Sequence, residues 1–266
     1  MRSDKSKAAS PLKARPLRVP GQSIQEELDE LIWSTTVGWY AVAAICVLLT
    51  VLEWTAFWMK APRVPVLYTL LSLVVVPICI FKVTSALRKA KHLKLGRDGE
   101  RAVGQFLDGL RASGARVFHD VPGEDFNIDH VVLSCHGIFV IETKTRSRRG
   151  KRDAVSILEN GSLRIGSGPC DRGPVDQATA GARWLERLLS ESTGKQFKVR
   201  SAIVFPGWLV EPMSQRWKSD ASLPWVLEPK ALPSFIENEP EQMKLTDVTL
   251  AAYHLSRYVR AMQDRR

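Results

Sequence analysis

Two apolar runs dominate the hydropathy pattern of the first third of the chain. Residues 37–59, VGWYAVAAICVLLTVLEWTAFWM, are broken only by Glu53, and residues 64–81, VPVLYTLLSLVVVPICIF, form a second run. Each has about the 20 residues that a helix needs to cross a hydrocarbon core. Trp33, Trp39, Trp54, Trp58 and Tyr68 fall mostly near the run ends, where amphipathic rings favour the headgroup level. Only Lys60-Ala61-Pro62-Arg63 separates the runs, so the pattern predicts a transmembrane helical hairpin over 37–81 with a tight reversal. Because 36 mostly polar residues precede it and no small-residue cleavage site is evident, it reads as a retained anchor rather than a secretory signal. Two buried helices of a soluble protein are the rival reading, which runs of this length disfavour. Glu53, beside Trp54 and close to the turn, is placed to reach the interface, and Pro77 reads as a tolerated kink.

From Gly96 onward the pattern becomes that of a globular α/β domain. The periodicity predicts a helix over 97–112, strands over 115–121, 128–134 and 138–144, and a short hairpin around Glu159-Asn160-Gly161. A helix over 175–191, a strand over 198–205 and a packed helix over 246–263 follow. Residues 82–95 continue the second apolar run as a basic juxtamembrane helix suited to an anionic lipid surface, and residues 1–36 read as a basic, largely disordered segment.

The stretch 128–144, IDHVVLSCHGIFVIETK, carries three charges inside two apolar strands. Residues two apart on a strand share a face, so Glu142 and Lys144 point one way, and Asp129 shares a face with Val131 and Leu133. If His136-Gly137 is the turn, Asp129 falls opposite Lys144; if Cys135-His136 is the turn, it faces Glu142 directly. Either even-length turn gathers all three charges on one face, whereas a three-residue loop would separate them. Glu100 lies on the apolar stripe of the first helix with Val103, Phe106, Leu107 and Leu110. Gln177 lies on that of helix 175–191 with Gly181, Trp184, Leu185 and Leu188, so both side chains should face inward.

Buried carboxylates need a cation, a proton or a partner. Oxygen ligands without His or Cys favour a hard divalent ion, Mg²⁺ or Mn²⁺, which suits phosphodiester chemistry with Lys144 beside it. A salt-bridged edge strand explains Glu142 and Lys144 alone, but it must also account for Asp129, Glu100 and Gln177. His119, His130 and His136 read as structural. Asp120, Glu124 and Asp125 read as turn residues, and the four cysteines, lacking zinc-type spacing, read as unpaired thiols.

The formal net charge of +10 makes an anionic partner plausible, nucleic acid or lipid. Arg146, Arg148, Arg149, Lys151 and Arg152 follow the candidate lysine directly and suit backbone phosphates, which carry no sequence information. Lysines and arginines crowd both outer flanks of the hairpin and only Lys60 and Arg63 occupy its turn, so both termini are expected in the cytoplasm.

In order along the chain, GRDGE (96–100), VFHDV (117–121), NIDHVVL (127–133), GIFVIETK (137–144), GPVDQ (173–177) and AIVFPG (202–207) resemble the nuclease-related domain family, NERD, of the PD-(D/E)xK nuclease superfamily. Ile128 stands before Asp129 where that superfamily often has proline. The resemblance implies a restriction-endonuclease-like αβββαβ core over 96–207, preceded by the two-helix transmembrane hairpin and followed by an extension over 208–266. It implies Glu100, Asp129 and Glu142 as acidic metal-site residues, a backbone carbonyl contribution from Thr143, Lys144 as the catalytic lysine and Gln177 as an active-site helix residue. The expectation is therefore a nuclease anchored in a bacterial inner membrane, dependent on Mg²⁺ or Mn²⁺ and acting on nucleic acid, DNA foremost, where cleavage of two strands would benefit from a homodimer. The alternative is an inactive nucleic-acid-binding module that tethers DNA or a DNA-processing partner to the membrane.

Overall fold

The structure, a computed structural model, describes residues 16–60, 65–147, 150, 153–158 and 160–265. Helix α1 (Gln22–Glu30) passes through a π-helical segment (Leu31–Val37) into α2 (Gly38–Trp58). Helix α3 (Pro65–Asp108) runs back for 44 residues, about 66 Å at 1.5 Å per residue, roughly twice the thickness of a hydrocarbon core. The second apolar run, the basic juxtamembrane segment and the first helix of the globular domain are thus one continuous element. Gly96 does not end it, and Pro77 lies inside it. Of the tight reversal, Ala61-Pro62-Arg63 lies outside the described residues.

Gln22–Trp58 and Pro65–Ser113 are both long and apolar enough to cross a membrane. Between α2 and α3 the Thr50 and Ser72 hydroxyls meet at 2.7 Å, and Trp54 Nε1 donates to Thr69 Oγ1 at 2.8 Å. Such bonds satisfy polar groups that would find no water in lipid. Further along, Lys89 Nζ lies 2.7 Å from Glu27 Oε1 and Arg97 Nη1 donates to Gln25 Oε1 at 2.6 Å, so α1 stays on α3 up to the globular domain.

This corrects the reading of residues 1–36 as largely disordered, since residues 22–37 are helical and the segment from Pro16 leads into them. Composition argued for disorder because the segment is polar and basic. Its order comes from contacts with residues distant in sequence, such as Gln25 with Arg97 and Arg18 with Asp120, which composition does not encode.

After a 3₁₀ turn (Gly109–Ser113), strands β1 (Arg116–Pro122), β2 (Asn127–Ser134) and β3 (Gly137–Thr143) form an antiparallel meander. Strands β4 (Ala154–Ile157), β5 (Leu163–Ile165) and β6 (Cys170–Asp171) follow, then α4 (Gly173–Thr193) and β7 (Val199–Val204). Next come β8 (Leu209–Val210), α5 (Gln215–Ser219), β9 (Trp225–Leu227), α6 (Leu232–Glu237) and α7 (Leu245–Arg265). The main sheet has the order β1-β2-β3-β7-β9, with β7 and β9 parallel to their neighbours, and a small sheet has the order β6-β5-β4-β8.

Two apolar layers sandwich the main sheet. Val103 and Leu107 of α3 pack with Val132, Phe139 and Ile141, whereas Leu185 and Leu189 of α4 and Val248 and Leu255 of α7 pack with Val131, Ile138 and Val140. This alternation along β2 and β3 is what the period-two pattern predicts. The segment after residue 207 is not an appendage: β9 supplies the fifth strand and α7 covers β1 and β2.

The register of the β2–β3 hairpin settles on the Cys135-His136 turn, with Ser134 paired to Gly137 and His130 to Ile141. The choice is fixed from the far end of the chain. Gln242 and Met243 donate their N–H groups to the Cys135 carbonyl at 2.8 and 2.9 Å, and His136 Nδ1 donates to the Glu239 carbonyl at 2.6 Å.

Candidate functional site

Extending the hairpin register one step beyond His130–Ile141 sets Asp129 opposite Glu142. The ladder stops there, and the Asp129 side chain takes over: its Oδ2 accepts the Thr143 N–H at 2.6 Å. On the other side, the Lys144 N–H donates to the Val204 carbonyl of β7 at 2.9 Å, which holds the residues after β3 in line. The Lys144 ammonium donates to Glu142 Oε1 and to Gln177 Oε1 of α4, both at 2.7 Å. Gln177 is exposed rather than turned into the core as its helical spacing predicts, and it reaches Lys144 from the solvent side of α4. With its oxygen engaged by Lys144, its NH₂ is left to donate elsewhere.

Glu100 arrives from α3. A Cβ on Gly99 would lie only 1.9 Å from Thr145 Oγ1, so the chain leaving β3 touches the helix backbone at a point where only glycine fits. That contact brings the Lys144 end of β3 against the Glu100 turn of α3. Glu100 is 7 % exposed and Glu142 5 %, while Asp129 is half-buried.

Electrostatics link Glu100 and Asp129 to Glu142. Burial pushes Glu100 up to about 8, with Asp120 and then Glu142 adding to the rise; a backbone hydrogen bond from Gly21 and the charge of Lys144 oppose it. Asp129 is pushed well above the carboxylate range by burial, then by Glu142 and Glu100. Burial raises Glu142 too, against the pull of Lys144. Three hard-oxygen donors that resist ionising together suit a divalent cation, which would remove their repulsion. Among the described residues, no group of three or more His, Cys, Asp or Glu side chains is arranged so that it could hold a metal ion. Glu142 is turned to Lys144 and Asp129 to Thr143, each through one oxygen, which leaves Oε2 of Glu142 and Oδ1 of Asp129 outside those two bonds.

Arg146 is exposed two residues past Lys144. With Ser147, Asp153, Gly166, Asp171 and Trp208 it lines a cavity of about 380 Å³, where Trp208 Nε1 donates to its carbonyl at 3.0 Å. Arg148, Arg149, Lys151 and Arg152 lie outside the described residues.

Residues 95–206 match the family model of the nuclease-related domain, NERD. Over those residues the chain is similar to the nuclease-related domain. The match covers less than half of the chain, yet Glu100, Asp129, Glu142, Lys144 and Gln177 all fall inside it. The mixed α/β architecture after the two apolar helices agrees with the PD-(D/E)xK context of that family. No curated protein and no solved structure matches the chain.

Asp120 was expected in a turn. It lies within β1, 1 % exposed, at φ 50°, and the flanking pairs His119–His130 and Val121–Ile128 set it opposite Asp129. Its carboxylate receives Arg18 Nε at 2.6 Å, Ser23 N at 2.8 Å and Ser23 Oγ at 2.7 Å. A positive φ at a non-glycine residue is the kind of feature sequence reading does not detect.

His119 and His130 carry no ligand-like geometry but form a buried pair, Nδ1 to Nδ1 at 2.9 Å, with His119 Nε2 3.4 Å from Asp108 Oδ1. A carboxylate only accepts, so His119 carries its proton on Nε2 and His130 donates from Nδ1, leaving His130 Nε2 buried without a partner. Burial lowers both imidazoles from the ordinary 6.5, and for His130 the neighbouring His119 lowers it further. Groups with depressed histidine values bind fewer protons folded than unfolded. Their contribution is full above pH 6.5 and is lost as pH falls towards the folded values. His130→Leu should therefore lose less stability than the wild type between about pH 6.5 and pH 5. Denaturant unfolding at both pH values checks this, and equal losses would contradict it.

Proposed function

We propose that the protein is a membrane-anchored, divalent-metal-dependent nuclease that hydrolyses phosphodiester bonds of nucleic acid, DNA foremost. The observation that carries this reading is a lysine held between Glu142 and Gln177, beside carboxylates of which Glu142 raises both Asp129 and Glu100. The nuclease-related domain supplies the reaction class.

Glu100, Asp129 and Glu142 would hold the Mg²⁺ or Mn²⁺, with the Thr143 carbonyl as a further oxygen. When bound, such an ion supplies Lewis-acid polarisation of a phosphoryl oxygen. Lys144 keeps a fixed positive charge beside the reacting phosphate, where it orients the attacking water and stabilises the charge that develops on phosphate oxygens. Gln177 holds the Lys144 ammonium so that it need not reorganise during reaction. Arg146, and the basic residues after it, would grip the backbone without reading bases. The basic residues flanking the hairpin support a cytoplasmic orientation of this domain.

The test is cleavage by the full-length protein in detergent, on duplex DNA, single-stranded DNA and RNA, with Mg²⁺ or Mn²⁺ and with chelator. Cleavage only with metal supports the reading. Salt-dependent binding without cleavage under every condition would replace it with a tethering module.

A further inference from the structure

The family match begins at Leu95 and does not include the residues before it. The geometry points to another role for residues 16–30: they are a strap that forms the back wall of the acid site, with Arg18 and Asp120 as positioning residues for Glu100. This rests on the reading of Glu100 as a metal-site carboxylate.

Arg97, Glu100 and Gly104 share one face of α3, being three and four residues apart, and the strap crosses that face. A Cβ on Gly104 would lie 2.5 Å from the Pro20 ring. One on Gly21 would lie 2.9 Å from Arg97 Cγ and 3.2 Å from the Arg97 carbonyl, and Gly21 has φ 68°, so glycine is required there twice over. The Gly21 backbone faces the Glu100 carboxyl and counters the rise that burial gives it.

What fixes the strap is the Asp120 carboxylate. Arg18 Nε, Ser23 N and Ser23 Oγ converge on its two oxygens, and Arg18 Nη2 also reaches Glu26 Oε2 at 3.0 Å. The side chains of Arg18 and Asp120 are 3 % and 2 % exposed, so this is a buried ion pair and not a surface contact. Since Asp120 stands opposite Asp129 on the neighbouring strand, the latch occupies the rung of the site itself. Lys144 and Asp129, by contrast, keep access to solvent, as does Arg146 beyond them. The strap closes the side away from substrate and leaves the reacting side open.

Because α1 continues through the π-helical segment into α2, the strap is the far end of the first apolar helix. The site is therefore assembled from chain on both sides of the hairpin, and a domain trimmed at the family boundary lacks a wall.

The test uses the full-length protein in detergent micelles, with Mn²⁺ affinity read by electron paramagnetic resonance alongside cleavage, circular dichroism and thermal melting. Arg18→Gln and Gly21→Ala are each expected to weaken Mn²⁺ binding about tenfold, as loss of a hydrogen bond to a charged group does, and Arg18→Lys to restore part of it. Gly21→Ala leaves the ion pair in place and decides the matter if Arg18→Gln does not fold. If the wild type binds Mn²⁺ and Asp129→Asn does not, but folded strap variants bind as tightly as the wild type, the strap is merely structural and the proposal is overturned while the site reading stands. If the wild type binds no Mn²⁺, both fall.

Discussion

Replacing Lys144 with alanine is expected to slow single-turnover phosphodiester cleavage by about a hundredfold or more, the loss seen when a positioned donor to developing charge is removed, with nucleic-acid binding little changed. Lys144 holds one positive charge between Glu142 and Gln177, and nothing else described in the structure replaces it at that point. Lys144→Arg should recover little, because a planar guanidinium cannot occupy the place of a compact ammonium between those two oxygens. Single-turnover rates beside filter-binding affinities separate the two effects. A variant that binds and cleaves like the wild type would remove Lys144 from the mechanism.

Asp129→Asn should act in opposite directions on function and stability. The amide oxygen can still accept the Thr143 N–H, so the end of the hairpin stays closed. The negative charge disappears, and with it the partner that Glu142 and Glu100 repel. Without metal, the variant is expected to melt about 2–4 °C higher than the wild type, the shift that about 1 kcal/mol produces in a chain of this size. Metal-dependent cleavage should fall by about a thousandfold, and the stabilisation that Mn²⁺ gives the wild type should vanish. Differential scanning fluorimetry with and without Mn²⁺ reads the stability arm. A lower melting point in metal-free buffer would mean that Asp129 is a structural acceptor and not a strained ligand.

How far the sequence speaks depends on where the deciding contacts lie. The strands around Asp129 and Glu142 were legible because alternation is local, and Glu100 because helical spacing aims a side chain at the core. Gln177 stays exposed and meets Lys144 through its side-chain oxygen, which helical spacing alone did not foretell. Two hairpin registers remained open because the contacts that choose between them come from residues 239–243, about a hundred positions away. The continuity of α3 was hidden by reading membrane, linker and domain as separate compositions, although no helix breaker stands at Gly96 strong enough to end it.

The strap shows the limit most plainly. Arg18, Gly21 and Ser23 sit in a segment whose composition resembles a disordered tail, and Asp120 has the chemistry of a turn residue. Each gains its role only when the fold sets Asp120 beside Arg18 across 102 positions of sequence. Buried pairing of this kind leaves no local period to detect.

The central claim is that the carboxylates of Asp129 and Glu142 are the ligands of a catalytic divalent ion. Diffraction at the manganese edge from crystals of the full-length protein soaked in Mn²⁺ tests it most directly. The account predicts an anomalous peak between those two carboxylates, lost in Asp129→Asn. Ordered density for both side chains with Lys144 still bonded to Glu142, and no anomalous peak between them at saturating Mn²⁺, would contradict it.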